Sequence, residues 1–451
     1  MERRVTLTRR RVLGLTAAAA FLPRRALAQS TPDTLFRNVR IFDGLAPSLS
    51  PSRNLLVRGN VISEISGAEI AGVAPDARVI DGGGRTLMPG LIDAHVHMAM
   101  STLPIALMMT ADPTYAMLRT GQAASEMLQR GFTAVRDVGG PTFGLKRAID
   151  EGFVDGPRIW PSGATISQTS GHGDFRIVSD LPRSDAAPLH ASERYGYTAV
   201  ADGVPEVLRR VREQLMQGAS QIKLMAGGGA SSNYDPLDVT QYTEDEMRAA
   251  VEAARNWGTY VTVHAYTPDA VQSAMRAGVR CIEHGQLLDE ATVRLMAEKD
   301  LWWSLQPFTD DEPSPFPEGS PNRLKQQQVY AGTDTAYALA KKHGIKVAWG
   351  TDILFDQKKA ARQGHFISKM TRWYDPSEVL RMVTSTNAQL LALSGPRNPY
   401  PGKLGLVTQG ALADLLLVNG DPLADLALFE DPQATLAVIM KDGRIYKNTL
   451  A

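Results

Sequence analysis

The stretch LMPGLIDAHVHM, Leu87 to Met98, decides how this chain is read, because a short apolar run ends in two histidines spaced two apart, His95 and His97. Residues i and i+2 of a strand share a face, so both imidazoles can point at one metal ion. The pair gains meaning only if other acids and bases arrive at the same place.

Working outward, residues 91–396 alternate strand-like apolar runs with helical patterns. Eight runs stand out: LIDAHVHM, FTAVRDVG, RIWPSGATI, SQIKLMAG, YVTVHAY, VRCIEHG, LWWSLQP and KVAWGTD. Between them the periodicity predicts helices over 114–130, 204–217, 243–257, 268–277, 289–299, 323–343 and 376–393. This α/β alternation fits a (β/α)8 TIM barrel of the usual ~250 residues with room for insertions. An open doubly wound sheet is the alternative. Residues 29–90 and 397–451 carry short alternating runs instead, among them TLFRNVRIF, NLLVRGNVISEI, ADLLLVNGD and LAVIMKDGRIY. They predict a small composite β-sandwich domain built from both chain ends.

Composition bounds the function. The 451 residues balance 48 basic against 48 acidic side chains, with no basic stripe that would argue for nucleic acid. Residues 1–28 hold seven arginines against one glutamate, so the remainder is net acidic by six. In that segment Arg9-Arg10-Arg11 precede an apolar run, Val12 to Leu22, and Ala26-Leu27-Ala28 offers the small residues of a cleavage site. This predicts a twin-arginine-type signal peptide read by the twin-arginine export machinery, with a periplasmic or secreted product cleaved near Ala28. The apolar run is about half the ~20 residues that span a bilayer, so no stable membrane anchor is expected. The lone cysteine, Cys281, excludes an intrachain disulfide and reads as a packing residue. Whether the chain forms a homo-oligomer is left open.

At the ends of the runs stand His95 and His97 (run one), His264 (run five), His284 (run six) and Asp352 (run eight), with Lys223 inside run four. The C-terminal strand ends of such a barrel converge on one mouth, where catalytic groups sit. Imidazoles and a carboxylate suit Zn2+ or a similar divalent ion, and an open coordination position makes such a site catalytic.

These motifs, PGLIDAHVH, IKLMAGGG, VTVHAY, IEHG and WGTD, resemble those of the amidohydrolase superfamily, and they span nearly the whole chain after residue 28. The strand-four lysine resembles its binuclear branch. GGG and TSGHGD (169–174) resemble the prolidase and carboxypeptidase-like, imidazolonepropionase-related members, and the ochratoxin-hydrolysing amidases share the ligand pattern. The resemblance implies a hydrolase of amide or peptide bonds acting on a dipeptide or N-acyl amino acid with a free carboxylate. It implies two divalent metal ions held by His95, His97, Lys223, His264, His284 and Asp352, with a carbon dioxide-derived carbamate on Lys223. Asp352 is the expected general base and acid, and Tyr234 or His172 the expected stabiliser of the carbonyl oxygen.

Candidates for a substrate carboxylate are His172, Tyr234 and Arg136. Arg136 could equally pair with Asp137 or a backbone carbonyl, and Lys223 could pair with a substrate carboxylate or a nearby acid. The long segment 164–203 and the insertion 307–322 are expected at the mouth. Two rivals remain: a mononuclear deaminase or cyclic amide hydrolase, which needs no strand-four lysine, and an exported metal-containing binding protein.

Overall fold

The computed structural model describes residues 32–183 and 188–450. The arginine-rich segment and its cleavage site therefore lie outside the described residues. No helix among the described residues is long and apolar enough to cross a membrane.

The eight runs form the barrel. Its strands are Leu91–Val96, Phe132–Asp137, Arg158–Pro161 continued by Thr165–Ser167, Ile222–Met225, Val261–Ala265, Cys281–His284, Trp302–Leu305 and Lys346–Trp349. Neighbours pair in parallel around the ring. Strand eight closes on strand one through Asp352 N–H donating to the His95 carbonyl at 2.9 Å. That approach needs Gly350, where an added Cβ would lie 2.5 Å from His95 Cβ. Run three, expected as one strand, is broken at Ser162 to Ala164. Pro161 has no N–H for a ladder, and Gly163 takes a φ of +75°, which diverts the chain.

The helices fall close to their expected places. Val204–Gln217 and Pro268–Ala277 match, each ending on a left-handed glycine, Gly218 and Gly278. The expected helix 376–393 instead runs as Pro376–Arg381, a π-turn Met382–Thr386 and Asn387–Ala392, and Ser385 in the π-turn donates its hydroxyl to the Gly44 carbonyl. The outer strand faces, including Val135, Leu224, Val263, Ile282 and Trp303, pack on Leu128, Val211, Leu215 and Val271 of the helices. Each such buried side chain contributes about 1.5 to 3 kcal/mol.

Inside the barrel the period-two positions stack in layers. Tyr260, Cys281, Trp302 and Ala348 make an apolar floor. Two residues further along come Thr262, Glu283 and Ser304, joined by Arg136 from strand two. Another step reaches His264, Gln306 and Asp352 at the mouth. Both Trp302 and Trp303 are buried, one in the floor and the other under the helices.

The chain ends share one eight-stranded arrangement, with Leu415–Val418 antiparallel to Thr86–Pro89. Its first strand, Thr34–Ile41, pairs Arg78–Asp81 and then Thr86–Pro89, switching at an irregularity where Asn38 has a φ of +54°. Phe36, Leu55 and Ile80 thereby face Leu87, Leu417 and Val438 across a common core. Arg158 ties this unit to the barrel by pairing with Asp414 and Asp442.

Candidate metal centre and active site

His95 and His97 bring their Nε2 atoms 3.3 Å apart, and each lies 3.3 Å from Asp352 Oδ1. Their other nitrogens are already committed. His95 Nδ1 donates to Glu283 Oε2 at 2.7 Å, and His97 Nδ1 to the Gly139 carbonyl at 3.1 Å. Both acceptors lack a proton, so each neutral ring carries its hydrogen on Nδ1 and turns a lone pair toward Asp352. Burial pushes the His97 imidazolium down, favouring that neutral form. Burial opposes ionisation of Asp352, yet attraction from His95, His97 and His284 in their protonated form holds it well below the usual carboxylate range. With the rings neutral, three acceptors face one another with no proton between them. A cation reconciles them, so the residues fit a divalent ion.

His284 and His264 stand beside this group. His284 Nδ1 is 3.8 Å from Asp352 Oδ2 and 2.8 Å from Gln306 Oε1, while His264 Nε2 donates to the Gly228 carbonyl at 3.0 Å, leaving Nδ1 for the centre. Their rings lie 4.6 Å apart, and burial pushes both well below the usual imidazole range. His284 and Asp352 sit at positive φ, +73° and +47°, where the strand ends and the chain turns over the mouth. Such backbone is costly for residues other than glycine and collects at functional sites.

Lys223 is 1% exposed and opens on the same cavity. Among the described residues no carboxylate lies within 4.0 Å of its amine, so the nearby-acid alternative has no partner there. Burial lowers this ammonium, against the opposing pull of Glu283 and Asp352.

The remaining candidates separate. His172 lines the cavity, stacked 4.0 Å from His264, with Nδ1 held by Asp235 at 2.9 Å and Ser232 at 2.6 Å. Ser232 shares that nitrogen with the acid, so the three do not form a nucleophilic relay. Tyr234, 45% exposed, lines an outer cavity that adjoins the one lined by Lys223 and Asp352, while the next residue, Asp235, is drawn inward to His172. Arg136 is corrected. It is fully buried beneath the mouth, donating to Glu283 at 2.7 and 2.8 Å and to the Ala94 carbonyl at 2.6 Å, with no access to a substrate.

Sequence reasoning missed Glu283, which touches both Arg136 and His95, and Gln306 and Asp235, which orient His284 and His172. For Glu283 a signal existed: an acid inside the apolar run VRCIEHG is buried and must find a partner.

A barrel whose mouth gathers four histidines, a carboxylate and a lysine defines a class of hydrolase. The family model for the amidohydrolase family matches residues 86–447, and the chain belongs to that family. It is a hydrolase acting on carbon–nitrogen bonds. Ochratoxinase of Aspergillus niger is 31% identical over 376 residues, covering 80% of this chain and 75% of that protein. A crystal structure of an amidohydrolase is 37% identical, with a TM-score of 0.84, over 93% of this chain and 100% of the other. A prolidase complexed with N-methylphosphonate-L-proline is 34% identical, with a TM-score of 0.83, over 92% and 100%.

Proposed function

We propose that this chain is a binuclear metal-dependent hydrolase that cleaves the amide or peptide bond of dipeptides or N-acyl amino acids carrying a free carboxylate. The observation that carries this reading is the convergence of His95, His97 and Asp352, with proton-free atoms turned inward, beside His264, His284 and a buried Lys223 without an acid partner among the described residues. The similarity to a prolidase and to ochratoxinase supports the choice of bond. His95, His97 and Asp352 would hold one ion and His264 and His284 the other, zinc being the ion such donors suit. Lys223 would join the two as a carbamate. Its lowered ammonium favours the neutral amine, the form that adds carbon dioxide.

When bound, the ions would polarise the carbonyl and lower the pKa of the attacking water. Asp352, held ionised, takes the proton of that water and passes it to the leaving amine. His172, fixed by Asp235 and Ser232, presents its other nitrogen to the carbonyl oxygen or the carboxylate. Replacing Asp352 with Asn lowers kcat by about 10² to 10⁴ while the metal stays bound; an unchanged kcat contradicts its role.

The test is a panel of Xaa-Pro, Xaa-Arg and N-acyl aromatic amino acids given to the zinc-loaded chain with bicarbonate. Cleavage abolished by a chelator is expected, and no cleavage of any member refutes the reading. One observation favours the mononuclear alternative: His95, His284 and Asp352 also offer ligand atoms within 4.8 Å of one another, a group that spans the two proposed pairs. A single ion per active chain would select it. Export is part of the proposal, with residues 1–28 removed by cleavage after Ala28. A processed N-terminus at Gln29 in the periplasmic fraction is expected, and an unprocessed cytoplasmic chain contradicts it.

A further inference from the structure

The insertion 307–322 carries four acids to the rim, and each is paired. Asp310 and Glu318 hold Arg323 at 2.8 and 3.0 Å, Asp311 holds Lys369 at 2.5 Å, and Glu312 holds Arg362 and His365 at 3.0 Å. What the insertion contributes to the cavity wall is apolar, Phe308, Pro315 and Phe316. Lys359, on the helix Gln357–Ala361 after barrel strand eight, lines the same cavity as Asp352. Asp356 Oδ1 accepts from its backbone N–H at 2.9 Å, and its half-buried ammonium lies 5.4 Å from the Phe366 ring centre. Among the described residues no carboxylate lies within 4.0 Å of that ammonium, since the nearby Asp311 and Glu312 are taken by other bases. Burial holds it below the usual lysine range, with Glu312 opposing and Lys369 adding to the shift.

We propose that Lys359 anchors the substrate's carboxylate, in a cavity whose other walls include the rings of Tyr266, Phe308, Phe316 and Tyr330. The inference rests on the amide-hydrolase reading above and names the group that enforces its carboxylate requirement. A carboxylate gives this cation a partner in a cavity with apolar walls, where the interaction is stronger than in water. A carboxamide at the same place leaves the ammonium desolvated and unpaired, a cost that discriminates between the two. Of the three side chains that the sequence suggested for this task, Arg136 is spent inside the barrel, Tyr234 lines the outer cavity, and His172, held by Asp235 and Ser232, is left for the carbonyl oxygen.

The test compares 3-phenylpropanoate with 3-phenylpropanamide as calorimetric ligands of the zinc-loaded chain, since the acid has no amide to be cleaved and the carboxamide has no carboxylate, so that binding is read whatever the catalytic activity. The wild type should prefer the acid by about tenfold or more, Lys359→Arg should keep that preference, and Lys359→Met should lose most of it. A Lys359→Met chain that keeps the full preference overturns the proposal, because the carboxylate is then held by other groups. So does a wild type that binds both ligands equally. A preference that depends on Lys359 in a chain that cleaves no amide keeps the anchor and refutes the catalytic reading alone.

Discussion

Two basic side chains are buried in the interior of one barrel, and they are treated in opposite ways. Arg136, 0% exposed, has its fork filled by both oxygens of Glu283, the Ala94 carbonyl and the Tyr260 hydroxyl. Lys223, 1% exposed and nearer the mouth, meets no acid within 4.0 Å among the described residues. The pairing shifts them in opposite directions: Glu283 overcomes burial to raise Arg136, whereas burial prevails at Lys223 and lowers it. An isolated buried cation is costly and is retained where chemistry uses it, while a saturated pair fixes geometry. Charge in the interior therefore does not by itself mark a site; an unfilled partner does.

The largest effect is expected at Lys223. Replacing it with Met should lower amide turnover by at least about 10³-fold while leaving the unfolding midpoint of the metal-free chain unchanged or raised. Loss of stability without loss of turnover would make Lys223 structural. The opposite signature is expected at Arg136. Its replacement by Met strands Glu283 and should cost about 3 to 5 kcal/mol of stability in denaturant titration. Pairing that change with Glu283→Gln should recover part of the loss, and full additivity would deny the pair. Glu283→Gln alone sharpens the link between layers. It weakens the acceptor that fixes His95, and should lower zinc affinity about 10- to 100-fold in competition with a chelating dye. The smallest effect belongs to the outer surface, where breaking the exposed pair of Arg372 and Asp334 with Asp334→Ala should leave the unfolding midpoint almost unchanged.

Much of the fold was legible because its signals are local. Apolar runs of strand length, glycines at helix ends such as Gly218 and Gly278, and polar residues at run ends placed the barrel and its mouth. What was hidden depends on partners far along the chain. Arg136 and Glu283 are 147 residues apart, and only the stacked inward positions of different strands bring them together. Tyr234 read as a cavity residue because the glycines before it allow close approach. The chain instead turns inward at Asp235, whose carboxylate is claimed by His172 and the Gly229 N–H. Lys359 escaped notice since nothing local marks a lysine that remains unpaired after the insertion's acids have chosen other bases. The break in strand three turns on the positive φ of Gly163, one of many glycines whose conformation no local pattern specifies.

The most direct test of the central claim, that the mouth holds two ions bridged through Lys223, is the metal-to-chain ratio after loading with zinc and bicarbonate, for the wild type and for Lys223→Met side by side. Two ions per wild-type chain and a loss of at least one in the variant are expected. One ion in both chains would contradict the claim.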